Sequence, residues 1–434
     1  MAYILAILQF VTISLVLFRE LKYKSSAVFL WATLELMFAV PHLVDTLAGT
    51  TGYDDWVLSR ASLFVLGFCA TYAVMRFLIY SKRMATNRQF YNADRISHAL
   101  SIYKKEQKSR VPILLLVLLV TTIIRLYPMV TSAGGLMATS WSAGRDYTAS
   151  LSYFNSYQWT GVILFSLSGI PVYYWFEGDR LYAVISWMLF LVCVIISRNR
   201  IEILPLLCSL IAIVMFKTNR ITLGSLLLGV ASAVAVIYVV YGLRVFRHYG
   251  DFSAFIRMFD FHDFMNRINT YISEENGEMG LRKWFYYFIS HNNNFNNFNE
   301  GHTYLRMLFV YIPSKWSFGL KPPDFAQSMG AAIGMVAGGS THPTLFGDCY
   351  ANMNWLGMYL GFFWALYASA ADEITVRYDY RCAVFLYTLN AVVYAIIGRG
   401  SVYNGFVNVA YGIPLIIAAF SILGMFSSKR RTHR

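Results

Sequence analysis

Long apolar runs separated by short polar segments dominate the hydrophobic pattern of this 434-residue chain. A helix that crosses a bilayer needs about 20 mostly apolar residues. Runs of that kind predict about eleven spanning helices, of which 201–216 is the shortest. They cover 2–18, 25–48, 58–80, 111–132, 156–176, 181–197, 201–216, 221–243, 352–371, 382–398 and 405–427.

The same pattern divides the chain into three parts. An N-terminal membrane bundle of about eight spans takes 1–243, and about three further spans with a basic tail take 351–434. Between them, 244–350 is the only stretch long enough to fold outside the bilayer, and we expect short helices in it. The predicted fold class is therefore an all-α polytopic integral membrane protein with one long external loop.

Composition supports a membrane protein. Hydrophobic residues make up 57% of the chain and charged residues only 14%, and the mean hydropathy is +0.49. This excludes a set of water-soluble domains. The first apolar run has no basic residue before it, since Arg19 follows it, so it does not resemble a secretory signal.

The net charge of +13 follows the predicted topology. The predicted cytoplasmic segments hold 20 of the 36 basic residues and 8 acidic residues, which sums to +12, whereas the nine basic and nine acidic residues of 244–350 cancel. By the positive-inside rule, the N-terminus is external and the C-terminus cytoplasmic. The neutral loop argues against nucleic-acid binding, which needs a basic surface. The cytoplasmic segments are 19–24, 81–110, 177–180, 217–220, 372–381 and 428–434.

The long loop is rich in aromatic residues and asparagine. Five aromatic residues fill 284–288, and six of the eight residues in 292–299 are asparagine. Aromatic faces stack on sugar rings and Asn side chains both donate and accept hydrogen bonds, so the mixture suits a carbohydrate. The alternative is an interfacial aromatic belt with Asn residues that cap short helices. Both interpretations stay open.

Two arginines break the positive-inside pattern. Arg198 and Arg200 lie in the predicted external hairpin between the sixth and seventh spans. Guanidinium groups bind phosphate through paired, charge-assisted hydrogen bonds, so the two could hold a lipid pyrophosphate. The alternative is that they pair with Glu202 and with membrane phosphates.

A second polar cluster lies where the chain re-enters the membrane. His342, Pro343, Gly347 and Asp348 occur together there, and Asp348 is expected in or near the first turn of a helix, where the dipole favours its ionised form. A polar loop at bilayer depth must line a cavity or be buried, so we expect His342 and Asp348 to flank one cavity. A purely structural cap is the alternative for Asp348. Gly357 and Gly361 further on form a small-residue pair typical of helix packing.

These residues carry a resemblance to a known family. The run from His342 to Asn352, continued by Trp355-Leu356-Gly357, resembles the signature near the late spans of bacterial Wzy-type O-antigen and capsule repeat-unit polymerases. The segment 197–200 resembles their Arg-bearing mid-chain segment, and 312–315 with 321–323 resembles part of their external loop. The resemblance extends to the topology and implies a GT-C-like membrane fold.

The resemblance implies a glycosyl transfer between two lipid-linked substrates. Both would be undecaprenyl-pyrophosphate-linked oligosaccharides at the periplasmic face of the bacterial inner membrane, with a chain-length regulator as a further partner beside the bilayer. A pyrophosphate departs without a protein acid, so the protein must position the substrates, stabilise charge and supply a base. No cofactor, metal or nucleic acid is implied.

The predicted site residues fall into three groups. Arginines would bind the pyrophosphate, a carboxylate or imidazole would act as the base, and aromatic or amide side chains would contact the sugar. The groups are Arg198, Arg200 and Arg306 for pyrophosphate; Asp348 or His342, with Glu300 and His302 in reserve, for the base; and Tyr350, Asn352 and His291 for sugar.

Two other classes of protein remain as alternatives. O-antigen ligases carry a His-Asn-like pair followed by Gly in their external loop, and His291-Asn292 followed by Gly301 is one residue short of that pattern. A lipid-linked oligosaccharide flippase or transporter would also need many spans. It would place ionisable residues at mid-membrane, whereas Glu35 is the only clearly mid-span carboxylate and is expected to pair with another span.

Overall fold

The computed structural model describes most of the chain. The described residues are 1–49, 52–84, 111–139, 156–197, 199–217, 223–246, 249–273, 280–294, 302–332, 342–378 and 380–422. Every regular element among them is helical. This fits the predicted α-helical polytopic membrane protein.

Seven helices in the described residues are long and apolar enough to cross a membrane. Most bury only a third to a half of their central residues and expose large apolar side chains, as lipid-facing helices do. The helix near 381–398 is the exception, because nearly all of it is buried inside the protein. The seven are Ala2–Lys22, Val28–Ala48, Asp55–Ile79, Ile113–Ser132, Arg180–Ser197, Arg381–Gly398 and Val402–Ile422.

Seven is fewer than the eleven predicted spans, and the reasons are local. The predicted span 156–176 is divided into Ser156–Ser166 and Ile170–Glu177 by a 3-10 turn, Leu167–Gly169. Gly169 lies there because an added Cβ would meet the Phe385 backbone at 2.7 Å. The predicted span 201–216 begins with a 3-10 turn, Arg200–Ile203, which leaves 14 residues of α-helix in Leu204–Lys217.

The other two differences lie further along the chain. Leu223–Phe246 has the length of a span, but the side chains of its first turns lie outside the described residues. The predicted span 352–371 begins with a 3-10 segment, Asn354–Tyr359, and its helix Leu360–Arg377 ends with charged residues. Apolar runs alone do not reveal such interruptions.

The described residues within 244–350 form the expected short helices. Phe261–Ser273 and Leu281–Ser290 are the longest, and Thr344–Met353 begins inside the loop's predicted end. The remaining ones are Phe252–Met258, His302–Leu308, the 3-10 turn Ser314–Trp316 and Phe325–Ala332.

The chain folds into two compact units, each made of separate stretches. The first comprises Met1–Tyr91, Glu275–Asp372 and Val393–Ala410, and the second comprises Asn92–Glu274, Glu373–Val392 and Tyr411–Arg434.

A buried charge network holds the first unit together. The Arg76 guanidinium forms ion pairs with Glu20 and Asp372, and it donates to the Ser369 hydroxyl (2.9 Å). All three charged residues are at most 6% exposed. Charges buried in this way persist only when they are paired and hydrogen-bonded, so the network fixes three helices in one arrangement.

A second polar cluster anchors a loop helix to the spans of the first unit. The Arg282 guanidinium pairs with Asp45, and the Tyr286 hydroxyl hydrogen-bonds the His42 ring, which also contacts the Ser62 hydroxyl (2.9 Å). Because Arg282 and Tyr286 lie on Leu281–Ser290, these bonds fix that helix against the ends of the second and third spans.

The second unit has its own buried ion pair. Arg125 pairs with Glu202 at 2.5 Å and donates to the Thr160 hydroxyl at 3.2 Å. Both charged side chains are almost fully buried. The pair joins the Val111–Ser132 helix to the 3-10 turn Arg200–Ile203.

Candidate functional site

The first unit contains a pocket at the hairpin between the last two spans. It is a small cavity of about 10 Å³, with room for roughly one water molecule and partly open to solvent. Its wall includes the turn 400–404 that connects Arg381–Gly398 with Val402–Ile422. Most of the lining residues have polar side chains, although apolar atoms make up most of the lining surface. The lining residues are Thr303, Asp324, Phe325, Ala326, His342, Asp348, Gly400, Ser401, Val402, Tyr403 and Asn404.

The hairpin lies close against the start of the Thr344–Met353 helix. The Thr344 amide donates to the Arg399 carbonyl at 3.2 Å. Gly400 has φ +96°, and a Cβ there would lie 2.6 Å from the Thr344 nitrogen. Glycine is required for this close approach as well as for the left-handed backbone.

Asp348 is the ionisable group at the centre of the pocket. Its side chain is 1% exposed. One carboxyl oxygen, Oδ2, accepts a hydrogen bond of 2.9 Å from the Thr303 hydroxyl. The other, Oδ1, has no hydrogen-bond partner among the described residues. An unsatisfied acceptor on a pocket-lining residue is available to a bound hydroxyl group.

Burial sets the protonation of this carboxyl. It raises the pKa of Asp348 from 3.8 to about 8; the Thr303 hydrogen bond opposes the shift and the Asp324 charge adds to it. Asp348 lies near the first turn of its helix, as expected, but the expectation that the helix dipole favours its ionised form is wrong. The helix begins at Thr344, so Asp348 lies in the second turn, and desolvation exceeds any effect of the dipole.

A layer of hydrogen bonds lies behind Asp348. The Asn352 side chain accepts from the Thr303 amide (2.8 Å) and donates to the Asp348 carbonyl (2.8 Å). Beside it, the Tyr304 hydroxyl and the Cys349 thiol are hydrogen-bonded at 3.2 Å, and burial raises the pKa of both groups. These bonds hold the carboxyl against the His302–Leu308 helix.

Arg306 contacts the outer side of the pocket wall. Its guanidinium lies 4.6 Å from the centre of the Tyr403 ring, and Tyr403 lines the pocket. One nitrogen donates to the Pro322 carbonyl, while Nε has no hydrogen-bond partner among the described residues. Lys321 lies near it, and burial together with the Arg306 charge lowers the pKa of Lys321. The pocket thus has an acid inside it and a cation at its wall.

His342 and Asp348 both line this pocket, as expected for two residues that flank one cavity. Asn352 is 4% exposed, does not line the pocket and donates a hydrogen bond to the Asp348 carbonyl; its contact with sugar stays a prediction. Arg306, predicted as a pyrophosphate ligand, lies against the same wall.

Two predicted sugar-binding residues lie elsewhere in the first unit. Tyr350 is fully buried in an aromatic cluster, with ring centroids 5.3 Å from Phe64 and 5.7 Å from Phe285. His291 is exposed at the end of Leu281–Ser290 and lies against the Tyr287 ring at 4.1 Å. Neither lines the pocket, because Tyr350 points to the opposite side of its helix from Asp348 and His291 follows a different helix.

The arginine hairpin belongs to the second unit. Arg200 is half-buried at the start of its 3-10 turn, and Glu202, its partner in the alternative interpretation, forms an ion pair with Arg125. Arg198 and Glu300 lie outside the described residues. His302 begins the His302–Leu308 helix, and its side chain lies outside the described part.

The sequence interpretation missed several residues of the site. Thr303, Asp324 and Tyr403 line the pocket, yet they lie far from Asp348 along the chain. One signal was present, because Gly400-Ser401 followed by Tyr403-Asn404 makes an unusually polar turn between two apolar spans.

The described residues offer no metal site. They contain no group of three or more His, Cys, Asp or Glu side chains that could hold an ion, and all five cysteines are free and buried. The chemistry available in the pocket is that of a carboxyl, an imidazole, hydroxyls and a nearby guanidinium.

Comparisons with known proteins identify no relative. No family model, curated protein or solved structure matches the chain.

Proposed function

We propose that this protein is a glycosyltransferase that joins undecaprenyl-pyrophosphate-linked oligosaccharide repeat units at the periplasmic face of the bacterial inner membrane, as an O-antigen or capsule polymerase with a GT-C-like fold. One observation carries the proposal: the buried Asp348 carboxyl lines a pocket at the hairpin between two spanning helices, and the Arg306 guanidinium lies over Tyr403 in the wall of that pocket. A lipid-linked substrate has its reactive group at that level.

The pocket chemistry supports such a transfer. The bond between the donor's anomeric carbon and the pyrophosphate oxygen breaks, and the acceptor hydroxyl oxygen forms the new bond to that carbon. The hydroxyl proton passes to Asp348 Oδ1, the oxygen that lacks a partner. Negative charge develops on the departing pyrophosphate, where Arg306 would stabilise it.

The pKa of Asp348 suits a base that works near neutral pH. A base is most effective when its pKa lies near the working pH, and burial raises this one to about 8. The rate of polymerisation in vitro is therefore expected to rise with pH up to about 8, because the deprotonated fraction rises.

The test is the glycan profile of cells that lack the protein and are complemented with variants. Loss of a polymerase leaves single repeat units on the acceptor, loss of a ligase leaves polymer unattached to it, and loss of a flippase leaves neither. We expect Asp348→Asn to give single units and Asp55→Asn, an exposed carboxylate at a helix start, to give polymer. Full-length polymer from Asp348→Asn would contradict the proposed base.

Two arginines that each lie over an aromatic ring test whether the guanidinium of Arg306 takes part in the reaction. Arg306 lies over Tyr403 and Arg60 lies over Trp56, at 4.6 and 5.2 Å from the ring centres. Lysine keeps the charge but loses the planar fork that binds phosphate through two hydrogen bonds. We expect Arg306→Lys to lower polymer yield about 10-fold or more, which is the effect of losing one hydrogen bond to a charged group. We expect Arg60→Lys to leave the yield near normal. Equal effects would remove Arg306 from the mechanism.

A further inference from the structure

One loop segment exposes a concentration of large apolar side chains. Residues 305–320 include Leu308 at 75% exposure, Trp316 at 71%, Phe318 at 92% and Leu320 at 70%. Single exposed apolar residues are common, but a concentration of large ones in one segment marks a surface that contacts a membrane or another protein. We call this stretch the apolar loop segment.

A hydrogen bond attaches the apolar loop segment to a spanning helix. The Tyr311 hydroxyl donates to the Ala410 carbonyl at 2.8 Å. In a regular helix that carbonyl would accept the amide of the residue four positions later, but position 414 is proline and has no N–H. Tyr311 therefore satisfies a carbonyl that Pro414 leaves open, which is necessary in a lipid environment.

The position of Ala410 gives the depth of the attachment. Ala410 lies eight residues after Val402, about 12 Å along the helix axis at about 1.5 Å per residue. One leaflet of the hydrocarbon core is about 15 Å thick, half of about 30 Å. The Tyr311 hydroxyl thus reaches acyl-chain depth on the side of the membrane where the helix begins.

The charge of the surrounding sequence fits a lipid surface. Residues 301–323 contain Arg306, Lys315 and Lys321 and no aspartate or glutamate. Trp, Tyr and basic side chains are the residues that favour the level of lipid headgroups. Phe318 has a left-handed backbone, φ +49°, which is rare for a bulky residue and leaves its ring directed away from the protein.

We infer that the apolar loop segment inserts into the lipid leaflet that surrounds the start of the Val402–Ile422 helix. Trp316, Phe318 and Leu320 enter the acyl region, and Lys315 and Lys321 lie among the phosphate headgroups. The occupant of this surface is the bilayer, because the segment continues the lipid-facing surface of a spanning helix and carries charge opposite to that of phosphate. This inference does not depend on the proposed enzymatic activity.

The experiment places a fluorescent probe on the segment in the full-length protein. All five native cysteines are buried, so Phe318→Cys can be labelled selectively with a polarity-sensitive dye. The protein is reconstituted in vesicles of phosphatidylcholine mixed with phosphatidylglycerol. Trp316→Cys serves as a second site, and exposed His291→Cys in the same unit serves as the aqueous control.

If the segment is inserted, spin labels on the acyl chains should quench a dye at positions 318 and 316, and aqueous iodide should not. A dye at position 291 should be quenched by iodide and not by the acyl-chain labels. Iodide quenching at 318 equal to that at 291 would overturn the inference. Protection from both quenchers would mean that a protein, such as a second copy of this chain, covers the segment, which also overturns it. Replacing Lys315 and Lys321 by Gln should reduce acyl-chain quenching in the anionic vesicles, and no change would exclude their contact with headgroups.

Discussion

At the scale of single residues, desolvation decides the state of Asp348. An aspartate at a helix start is normally ionised, but here the pKa rises to about 8, chiefly because the side chain is buried. The same residue can therefore hold a proton in the resting protein and accept one during a reaction. Its chemistry depends on Thr303 and Asp324, which only the fold brings to it.

The raised pKa makes stability depend on pH. Between pH 4 and about 8, Asp348 is protonated in the folded protein and ionised in the unfolded chain. This residue therefore makes the free energy of unfolding fall as pH rises, by at most about 1.4 kcal/mol per pH unit. Asp348→Asn removes that dependence. We expect the melting temperature of the variant, relative to the unaltered protein, to increase from pH 5 to 8 and then stay constant. A constant difference over the whole range would show that Asp348 is ionised in the folded state.

Tyr311 and Pro414 make a second prediction at this scale. Tyr311→Phe removes the donor to the Ala410 carbonyl and should lower stability by about 1 kcal/mol. Pro414→Ala restores an N–H four residues after Ala410, so Tyr311→Phe should cost less in that background. The measurement is a double-mutant cycle on thermal unfolding in detergent. Equal costs in both backgrounds would mean that Tyr311 does not compensate for the proline.

At the scale of helices, backbone contacts determine where helices end. Sequence patterns do not reveal these contacts. The hydrophobic runs predicted the first three spans well, because each is continuous and has a lipid-facing side, although the second contains the π-helical segment Glu35–Ala39. They failed for 156–176, where Gly169 packs on the Phe385 backbone and the helix changes to a 3-10 turn. In the site, His342 and Asp348 could be predicted together because they are six residues apart. Thr303 and Tyr403 could not, because only the tertiary fold brings them to Asp348.

The Gly361 contact gives a prediction about helix packing. A Cβ at Gly361 would lie 2.5 Å from the Phe68 carbonyl oxygen and 2.9 Å from the Tyr72 nitrogen, both backbone atoms of the Asp55–Met84 helix. Gly361→Ala must push the two helices apart, at a cost of about 1–3 kcal/mol. Gly242→Ala is the control, because its Cβ would meet the Phe264 ring at an ordinary 3.4 Å. We expect thermal unfolding in detergent to show a lower melting temperature for the first variant only; an unchanged value for Gly361→Ala would contradict this packing.

At the scale of the whole molecule, the distribution of charge is the strongest guide to orientation. Successive predicted spans place alternate segments on opposite sides of the membrane, and the basic residues concentrate in the segments of one side. The large loop is neutral. The orientation with the N-terminus outside and the pocket-bearing loop at the periplasmic face remains a prediction of the positive-inside rule.

This orientation predicts which residues an impermeant reagent can reach. Lys22 follows the first span in a segment predicted to be cytoplasmic, and His291 lies in the loop predicted to be external; both side chains are exposed. Because the five native cysteines are buried, Lys22→Cys and His291→Cys can each report one side with little background. In intact cells with a permeabilised outer membrane, a small charged maleimide should label position 291 and leave position 22 unlabelled until the inner membrane is broken. The opposite result would reverse the topology, and it would place the pocket on the cytoplasmic side, where a periplasmic polymerase cannot act.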